Sequence, residues 1–280
     1  MGSVETTPGF SGGTMALITG MYDKLVGSIS KVKLQFIKPL FTGDFSKFKE
    51  IFLEEIDLKF FIPLGIGMAI ALVTFSKVIS YLIEFYPVYT FAFFLGLIIS
   101  SAYLLYTHMQ KQSHISTIIS IIISILAFIG AFIFVGLNPI AGNHSLIVIF
   151  FSAMISICAF ILPGIAGSLV LMFLGQYYYM LDALHSFKIV DIIVFMIGAL
   201  IGILSFSKLL NYLLEHYKNF TMAFLIGLMA GTLREPCTNI INGLSSAQSF
   251  ILPPYILCII FAVIGLLVIP ILEKKFNYVE

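Results

Sequence analysis

The sequence contains a long repeat: residues 75–97 read FSKVISYLIEFYPVYTFAFFLGL, and residues 206–228 read FSKLLNYLLEHYKNFTMAFLIGL. The two stretches align without gaps, and 12 of the 23 positions are identical. Shared apolar composition explains matching leucines and phenylalanines, but it does not place Ser, Lys, Glu, Tyr and Thr in register. The repeat therefore predicts a chain of two related halves, residues 1–140 and 141–280.

The composition is typical of an all-helical integral membrane protein. Apolar residues make up 60% of the chain, charged residues make up 10%, and the mean hydropathy is +1.07, far above the value for a soluble domain. The net charge of +1 gives no reason to expect a nucleic-acid partner. Runs long enough to cross a bilayer lie near residues 60–84, 88–107, 115–136, 145–162, 164–181, 189–214, 219–234 and 251–272, with a further apolar run from Thr14 to Val26.

Residues 31–59 differ from these runs because they carry lysines among acidic residues. Phe45, Phe48, Phe52 and Ile56 recur at helical spacing there, which predicts an amphipathic helix on the membrane surface, with Asp44 as its N-cap.

The lysines also predict orientation. If 145–162 and 164–181 form one hairpin, Lys111, Lys218, Lys274 and Lys275 fall on the same side as residues 31–59, and Lys188 falls on the other. The positive-inside rule then places both termini in the cytoplasm.

A second match links the start of the chain to its middle: Pro8-Gly9-Phe10-Ser11-Gly12-Gly13 resembles Pro163-Gly164-Ile165-Ala166-Gly167-Ser168. In the predicted topology, the linker 85–88 is external and its counterpart 216–219 is cytoplasmic. The halves are therefore predicted to have inverted topology, an arrangement common in secondary transporters, with a binding site at the repeat interface.

Each Pro-Gly segment is predicted to break a helix inside the membrane, because proline lacks a donor and glycine relaxes the backbone. The N–H groups of a helix that begins at such a break form a site for an anion. A tight turn between two helices is the simpler interpretation of a single break, but two copies favour the site. The candidate binding residues are Pro8, Gly9, Ser11, Gly12, Gly13, Thr14, Pro163, Gly164, Gly167 and Ser168. We expect these two segments to meet near the midplane.

Charged residues inside apolar runs are further candidates. Arg234 is the one arginine in the chain, and its guanidinium suits a phosphate, although it also suits an interfacial anchor. Lys77 and Lys208 are equivalent in the repeat and are candidates for headgroup binding or for anchoring. Glu5, Glu84 and Glu215 are candidates for coupling to an ion.

The remaining chemistry-bearing residues predict neither a metal site nor a catalytic site. The three cysteines and five histidines lack metal-ligand or redox spacing, so no cofactor is expected. A lipid phosphatase would need a nucleophile or base beside a basic cluster, and no stretch supplies one.

The first motif, Gly2-x-x-Glu5-x-x-Pro8-Gly9-x-Ser11-Gly12-Gly13-Thr14, the second motif and Gly231-Thr232-Leu233-Arg234 together resemble the polyprenyl-phosphate transporter family. The resemblance implies a flippase of the cell membrane that returns undecaprenyl phosphate, or a related lipid, to the cytoplasmic leaflet for carrier recycling in envelope biogenesis. Ala166 departs from the serine usual in the second motif. The alternatives are a small-anion secondary transporter and a membrane lipid-phosphate enzyme.

Overall fold

The computed structural model describes residues 12–32, 45–109, 113–140, 142–246 and 254–276, and these ranges contain helices and connecting turns without any strand. The helices of the first half are α1 (Gly12–Ile18), α2 (Tyr22–Ser30), α3 (Phe45–Glu55), α4 (Leu58–Phe85), α5 (Pro87–Thr107) and α6 (His114–Val135). The helices of the second half are α7 (Leu146–Ile161), α8 (Gly167–Phe173), α9 (Tyr177–His185), α10 (Ile189–His216), α11 (Lys218–Thr232), α12 (Arg234–Ser246) and α13 (Pro254–Phe276).

Among the described residues, five helices are long and apolar enough to cross a membrane: α4, α5, α6, α10 and α13. Helix α7 is also apolar but has only 16 residues. The protein is therefore an all-helical, multi-pass membrane protein.

Helix lengths recur between the two parts of the chain. Helices α1 and α8 both have 7 residues, α2 and α9 both have 9, and α4 and α10 both have 28. The turns that precede α2 and α9 each contain a glycine, Gly20 or Gly175, with φ +68°. Corresponding segments of the two parts therefore have helices of equal length.

Two long helices of residues 1–140 each pack along a long helix of residues 141–280. Helix α13 packs along α5, and α11 packs along α6. Gly96 of α5 lies against the Ala262 carbonyl of α13, while its counterpart in the repeat, Gly227 of α11, lies against the Ser124 carbonyl of α6. An added Cβ at either glycine would overlap that carbonyl, so the small residues allow the backbones to approach closely.

The core lies between α2, α5, α10 and α11. The most buried side chains there belong to Tyr22, Val26, Ile98, Leu225 and Met229. Helix α10 packs on α7 through Gly198 and Gly202, whereas α4 packs mainly on α5 and lies at the periphery of the described helices.

Three expectations need correction. Residues 164–181 do not form one continuous span, because the chain turns at Gly175 between α8 and α9. A side chain at Gly175 would come within 2.6 Å of the Ile140 carbonyl, so the turn needs glycine. The apolar run from Thr14 to Val26 is likewise divided between α1 and α2, and the run 219–234 ends at Thr232, so that Arg234 begins a new helix.

The predicted surface helix is partly visible as α3 within residues 31–59. Its predicted N-cap, Asp44, lies outside the described residues.

Candidate functional site

The described end of the first motif, Gly12–Thr14, lies against the second motif. The Gly164 N–H donates a hydrogen bond to Thr14 Oγ1 at 3.0 Å, and the Thr14 side chain is fully buried. Gly13 lies against the carbonyl of Ile161, the last residue of α7, where an added Cβ would overlap that oxygen. The start of α1 therefore packs directly on the break between α7 and α8.

Backbone conformation at the second break requires glycine. Gly164 has φ +92°, a region that L side chains rarely adopt. An added Cβ would also lie 3.0 Å from the Met229 Cα of α11. The preceding Pro163 is buried, so this turn is fixed by its neighbours on both sides.

The start of α8 is held by α7. Ser156 Oγ donates to the Gly167 carbonyl at 2.6 Å, and an added Cβ at Gly167 would lie 2.8 Å from the Ser156 carbonyl. Ser168, next in sequence, is exposed. Its hydroxyl is therefore accessible beside a closely packed backbone.

Arg234 lies at the junction of α11 and α12. Its Nη1 donates to the Phe132 carbonyl at 2.8 Å, and its guanidinium carbon lies 4.6 Å from the centre of the Phe132 ring. Phe132 belongs to the last turn of α6, where unpaired carbonyls carry partial negative charge. One stable role of Arg234 is thus to bind the end of α6.

Met229 connects Arg234 to the paired breaks. It packs on Gly164, and its carbonyl accepts a hydrogen bond at 2.9 Å from the buried Thr232 hydroxyl. Met229 and Arg234 are five positions apart in the sequence, and α11 ends between them at Thr232. The end of α11 therefore links the second break to Arg234.

Other predicted residues lie elsewhere. Lys77 on α4 and Lys208 on α10 are exposed, as are Glu84 and Glu215. The Glu215 carboxylate accepts a hydrogen bond from Asn211 Nδ2 at 2.7 Å. The remaining candidates, Glu5, Pro8, Gly9 and Ser11, lie outside the described residues.

Sequence reasoning missed Glu235. Its Oε2 atom is buried and has no hydrogen-bonding partner among the described residues. One signal is present in the sequence, since an acidic residue directly follows the single arginine, but the burial of its Oε2 atom depends on how α12 packs.

Sequence reasoning also missed a polar cluster beside the α8–α9 turn. The buried Gln176 side chain donates to the Asn143 carbonyl at 3.0 Å and contacts His144 Nδ1 at 3.1 Å. The His144 ring stacks on Tyr179, whose hydroxyl donates to Asp191 at 2.7 Å.

Nearby, a hydrogen bond from Lys188 lowers the pKa of the Asp182 carboxyl. No group of three or more His, Cys, Asp or Glu side chains that could hold a metal occurs among the described residues.

A groove of about 620 Å³ lies between α5, α6 and α11. Its lining combines apolar side chains with hydroxyls at helical spacing on α6, which suits a molecule with both characters. The lining residues are Tyr106, Thr107, Met109, Thr117, Ser120, Ile121, Ser124, Ile125, Ala223 and Ile226.

Comparison with known proteins identifies the family of this chain. Residues 1–248 match the family described as undecaprenyl phosphate translocase-like, or VCA0040-like. The chain belongs to this family. A polyprenyl-phosphate transporter of Vibrio cholerae is 36% identical over 237 residues, which cover 83% of this chain and 73% of the relative.

A polyprenyl-phosphate transporter of Staphylococcus aureus is 32% identical over 250 residues, covering 83% of this chain and 81% of the relative. The names of the translocase-like family and of both relatives indicate a transporter rather than an enzyme. No solved structure matches the chain.

Proposed function

We propose that this protein moves polyprenyl phosphate, such as undecaprenyl phosphate, across the cell membrane, and that the phosphate binds where the two breaks meet. The observation that carries the proposal is the Thr14–Gly164 hydrogen bond in a member of the translocase-like family. It joins the two copies of the motif that is the best candidate for an anion site. No chemical step is included in the proposal.

The contact also suggests how binding and movement are linked. The Gly164 N–H is already bonded to Thr14, so a phosphate oxygen that accepts this N–H must replace the threonine. Replacement would separate the two breaks, while the exposed Ser168 hydroxyl and Arg234 supply further donors. Binding and separation of the halves are then a single event, as alternating access requires.

The lipid tail needs an apolar path from the site to the bilayer. The groove between α5, α6 and α11 has this character, and α11 also carries Met229, which packs on Gly164. We assign the groove to the part of the polyprenyl chain next to the phosphate. A carrier of free phosphate would have no use for it.

The lining of the groove supports inverted halves. Tyr106 and Thr107, at the end of α5, line the groove together with Ala223, in the first half of α11, and Ile226, near its middle. The turn at Tyr217 therefore lies toward the end of α5, whereas its counterpart in the repeat, Tyr86, precedes the start of α5. With the lysine-rich segment 31–59 in the cytoplasm, both termini are cytoplasmic and the loop at Lys188 is external.

The test is lipid exchange in liposomes that contain the purified protein. Thr14→Val keeps the side-chain shape but removes the acceptor of Gly164, so exchange of polyprenyl phosphate between leaflets should fall. Thr14→Ser keeps the hydroxyl and is the matched control, which should retain most of the exchange. Wild-type exchange no faster than in empty liposomes, with the protein shown to be folded, would refute the proposed function.

A second arm addresses the small-anion alternative. The same liposomes are loaded with radioactive inorganic phosphate, and its efflux is measured. We expect no efflux above that of empty vesicles. Efflux of free phosphate without lipid exchange would make the protein a small-anion transporter instead.

A further inference from the structure

A cavity beside the first turn of α2, which we call the Tyr22 cavity, is not part of the phosphate site proposed above. Its volume is about 110 Å³, which is room for a group of several non-hydrogen atoms, since one water needs only about 10–15 Å³. The α1–α2 turn, the end of α5 and one residue of α11 enclose it. The lining residues are Gly20, Tyr22, Asp23, Ser101, Leu104, Leu105, His108 and Met222.

The inner wall of the Tyr22 cavity carries a hydroxyl without a partner. Tyr22 is only 2% exposed, and its Oη atom makes no hydrogen bond among the described residues. A buried hydroxyl that leaves water without a new partner costs free energy. Ser101, which is also buried, already donates to the Leu97 carbonyl at 2.8 Å. A ligand that accepts the Tyr22 hydroxyl proton would remove the cost.

The N-terminus of α2 lies at the same cavity. This helix has 9 residues, and its N-cap Met21 makes no side-chain hydrogen bond to the first turn. The N–H groups of a first turn have no intrahelical partner, and they carry the positive end of the helix dipole. Gly20, Tyr22 and Asp23 line the cavity around this helix start. N–H donors and a hydroxyl donor together suit a phosphate group.

The charged side chains are at the mouth of the cavity rather than inside it. Asp23 lines the mouth and is exposed, and the adjacent Lys24 is exposed too. His108 is exposed at the mouth, where its Nδ1 contacts the Leu104 carbonyl at 2.9 Å. Water and salt screen the repulsion between Asp23 and an anion, and Lys24 offsets its charge. The buried part of the lining carries no acidic side chain.

The corresponding turn in the second half is filled by protein. Gly20 and Gly175 both have φ +68° and both precede a helix of 9 residues. Gly175 lies against the Ile140 carbonyl and Gly142, whereas no described residue lies within 4 Å of an added Cβ at Gly20. The space is therefore open in one half only. In the proposed topology that half of the turn pair is on the cytoplasmic side, where α5 ends and α11 begins.

The Tyr22 cavity adjoins both parts of the proposed lipid site. Met222 lines the cavity, and Met229 packs on Gly164 of the second break. These two methionines lie on one continuous helix, seven residues or about 10 Å apart along its axis. His108 lines the cavity, while its neighbours in sequence, Thr107 and Met109, line the groove assigned to the lipid tail. One lipid can therefore occupy the groove with its headgroup in the cavity.

We propose that the Tyr22 cavity is a second binding site for the phosphate headgroup, between the second break and the cytoplasmic surface, with the Tyr22 hydroxyl as its donor. This inference rests on the proposed function. The headgroup moves from one set of helix-terminus donors to the next, about two helical turns away, while the tail stays in the groove. No covalent bond forms or breaks.

A purely structural Tyr22 makes a different prediction. Tyr22→Phe removes only an oxygen that has no described partner. If the hydroxyl binds no ligand, its removal should raise the melting temperature and leave lipid exchange unchanged. If the hydroxyl binds the headgroup, exchange should fall although the lipid-free protein is no less stable.

The experiment compares wild type, Tyr22→Phe and Tyr177→Phe in liposomes. Tyr177 follows Gly175 as Tyr22 follows Gly20, and it is half-buried, so Tyr177→Phe is the matched control. We expect Tyr22→Phe to exchange polyprenyl phosphate about 10- to 150-fold more slowly than wild type, the range for one hydrogen bond to a charged group. Its melting temperature without lipid should equal or exceed that of the wild type. Tyr177→Phe should retain most of the exchange.

A second measurement distinguishes a lipid headgroup from free phosphate. Melting temperatures in detergent are recorded with polyprenyl phosphate, with neutral polyprenol and with inorganic phosphate. We expect polyprenyl phosphate to raise the melting temperature of the wild type more than that of Tyr22→Phe, and polyprenol to affect both equally. A Tyr22-dependent shift with inorganic phosphate alone would assign the cavity to free phosphate and overturn the lipid site.

The outcomes separate this inference from the proposed function. Wild-type exchange by Tyr22→Phe, or slower exchange with a lower melting temperature, would overturn the second site and leave the transporter in place. Wild type that exchanges no lipid would refute the transporter, while a Tyr22-dependent shift with polyprenyl phosphate would still support the cavity as a headgroup site.

A third measurement uses the wild type alone and applies if Tyr22→Phe does not fold. Polyprenyl phosphate with a photoreactive diazirine next to the phosphate is bound in liposomes and crosslinked, and the labelled residues are mapped by mass spectrometry. Label on residues that line the Tyr22 cavity is the expected result. Label confined to other residues would overturn the second site.

Discussion

The guanidinium of Arg234 lies where α6 ends, bonded to a carbonyl and stacked on an aromatic ring. If it also binds the phosphate, Arg234→Ala should reduce lipid exchange by about 10- to 150-fold, since a hydrogen bond to a charged group contributes roughly 1.5–3 kcal/mol. Arg234→Lys should restore only part of the activity, because a lysine lacks the planar fork. The activity of both variants is measured as the rate of lipid exchange in liposomes, normalised to the amount of folded protein.

The anchor role of Arg234 predicts another result for the same variants. Loss of the contact with Phe132 would then lower the melting temperature of Arg234→Ala while exchange per folded molecule stays at the wild-type level. That combination would remove Arg234 from the phosphate site. Melting curves and exchange rates must therefore be measured on the same preparations.

The two neighbours Arg234 and Glu235 also mark the limit of sequence analysis at this scale. Arg234 stands out in the sequence because the chain has no other arginine. Glu235 does not stand out, because its burial depends on α12 packing against α5. Residues 234–246 are largely polar, so no hydropathy pattern predicts which of their side chains pack against α5.

The packing of α5 on α13 and of α6 on α11 depends on glycines that lie against a backbone carbonyl of the neighbouring helix. Gly227→Ala should destabilise the protein by about 1–3 kcal/mol, because the added Cβ overlaps the Ser124 carbonyl. Gly130→Ala on α6 is the control, since nothing lies within 4 Å of an added Cβ there. That change should stabilise the helix by up to about 1 kcal/mol.

Thermal unfolding in detergent measures the stability of both variants. The melting temperature should fall for Gly227→Ala and rise for Gly130→Ala. Equal shifts for Gly227→Ala and Gly130→Ala would mean that the pairing of α6 with α11 tolerates extra volume. The close approach of the two backbones would then not be a source of stability.

Hydropathy predicted the elements that lie mostly in lipid and failed where the backbone bends. The runs that became α4, α5, α6, α10 and α13 were identified because nearly every residue in them is apolar. The division between α8 and α9 was missed because Gly175 reads as one more small residue in an apolar run. Its φ of +68° and its contact with the Ile140 carbonyl are properties of the tertiary structure.

Across the whole molecule, the proposed inversion can be tested at two equivalent positions. Tyr86 and Tyr217 are the N-cap residues of α5 and α11, which are equivalent in the repeat, and both tyrosines are exposed. After Cys158, Cys237 and Cys258 are replaced, single cysteines at Tyr86 and Tyr217 should be labelled from opposite faces of the membrane. A membrane-impermeant maleimide applied to intact cells or to inverted vesicles distinguishes the faces.

A second labelled pair fixes the absolute orientation. Lys47 on α3 and Lys188 before α10 are both exposed. A cysteine at Lys47 should react only from the cytoplasm, and one at Lys188 only from outside. Reaction of Tyr86→Cys and Tyr217→Cys from one face would refute inversion, even if the lysine pair behaves as expected.

The crossed pairing of α5 with α13 has a further consequence for synthesis of the chain on the ribosome. Helix α5 enters the membrane long before α13, which follows every other described helix in the chain. During that interval the Gly96 surface of α5 has no protein partner, and the nascent chain must be held by lipid or by the insertion machinery. A stop codon anywhere before α13 would therefore leave an unfinished helix pair in the membrane, which quality-control proteases can recognise.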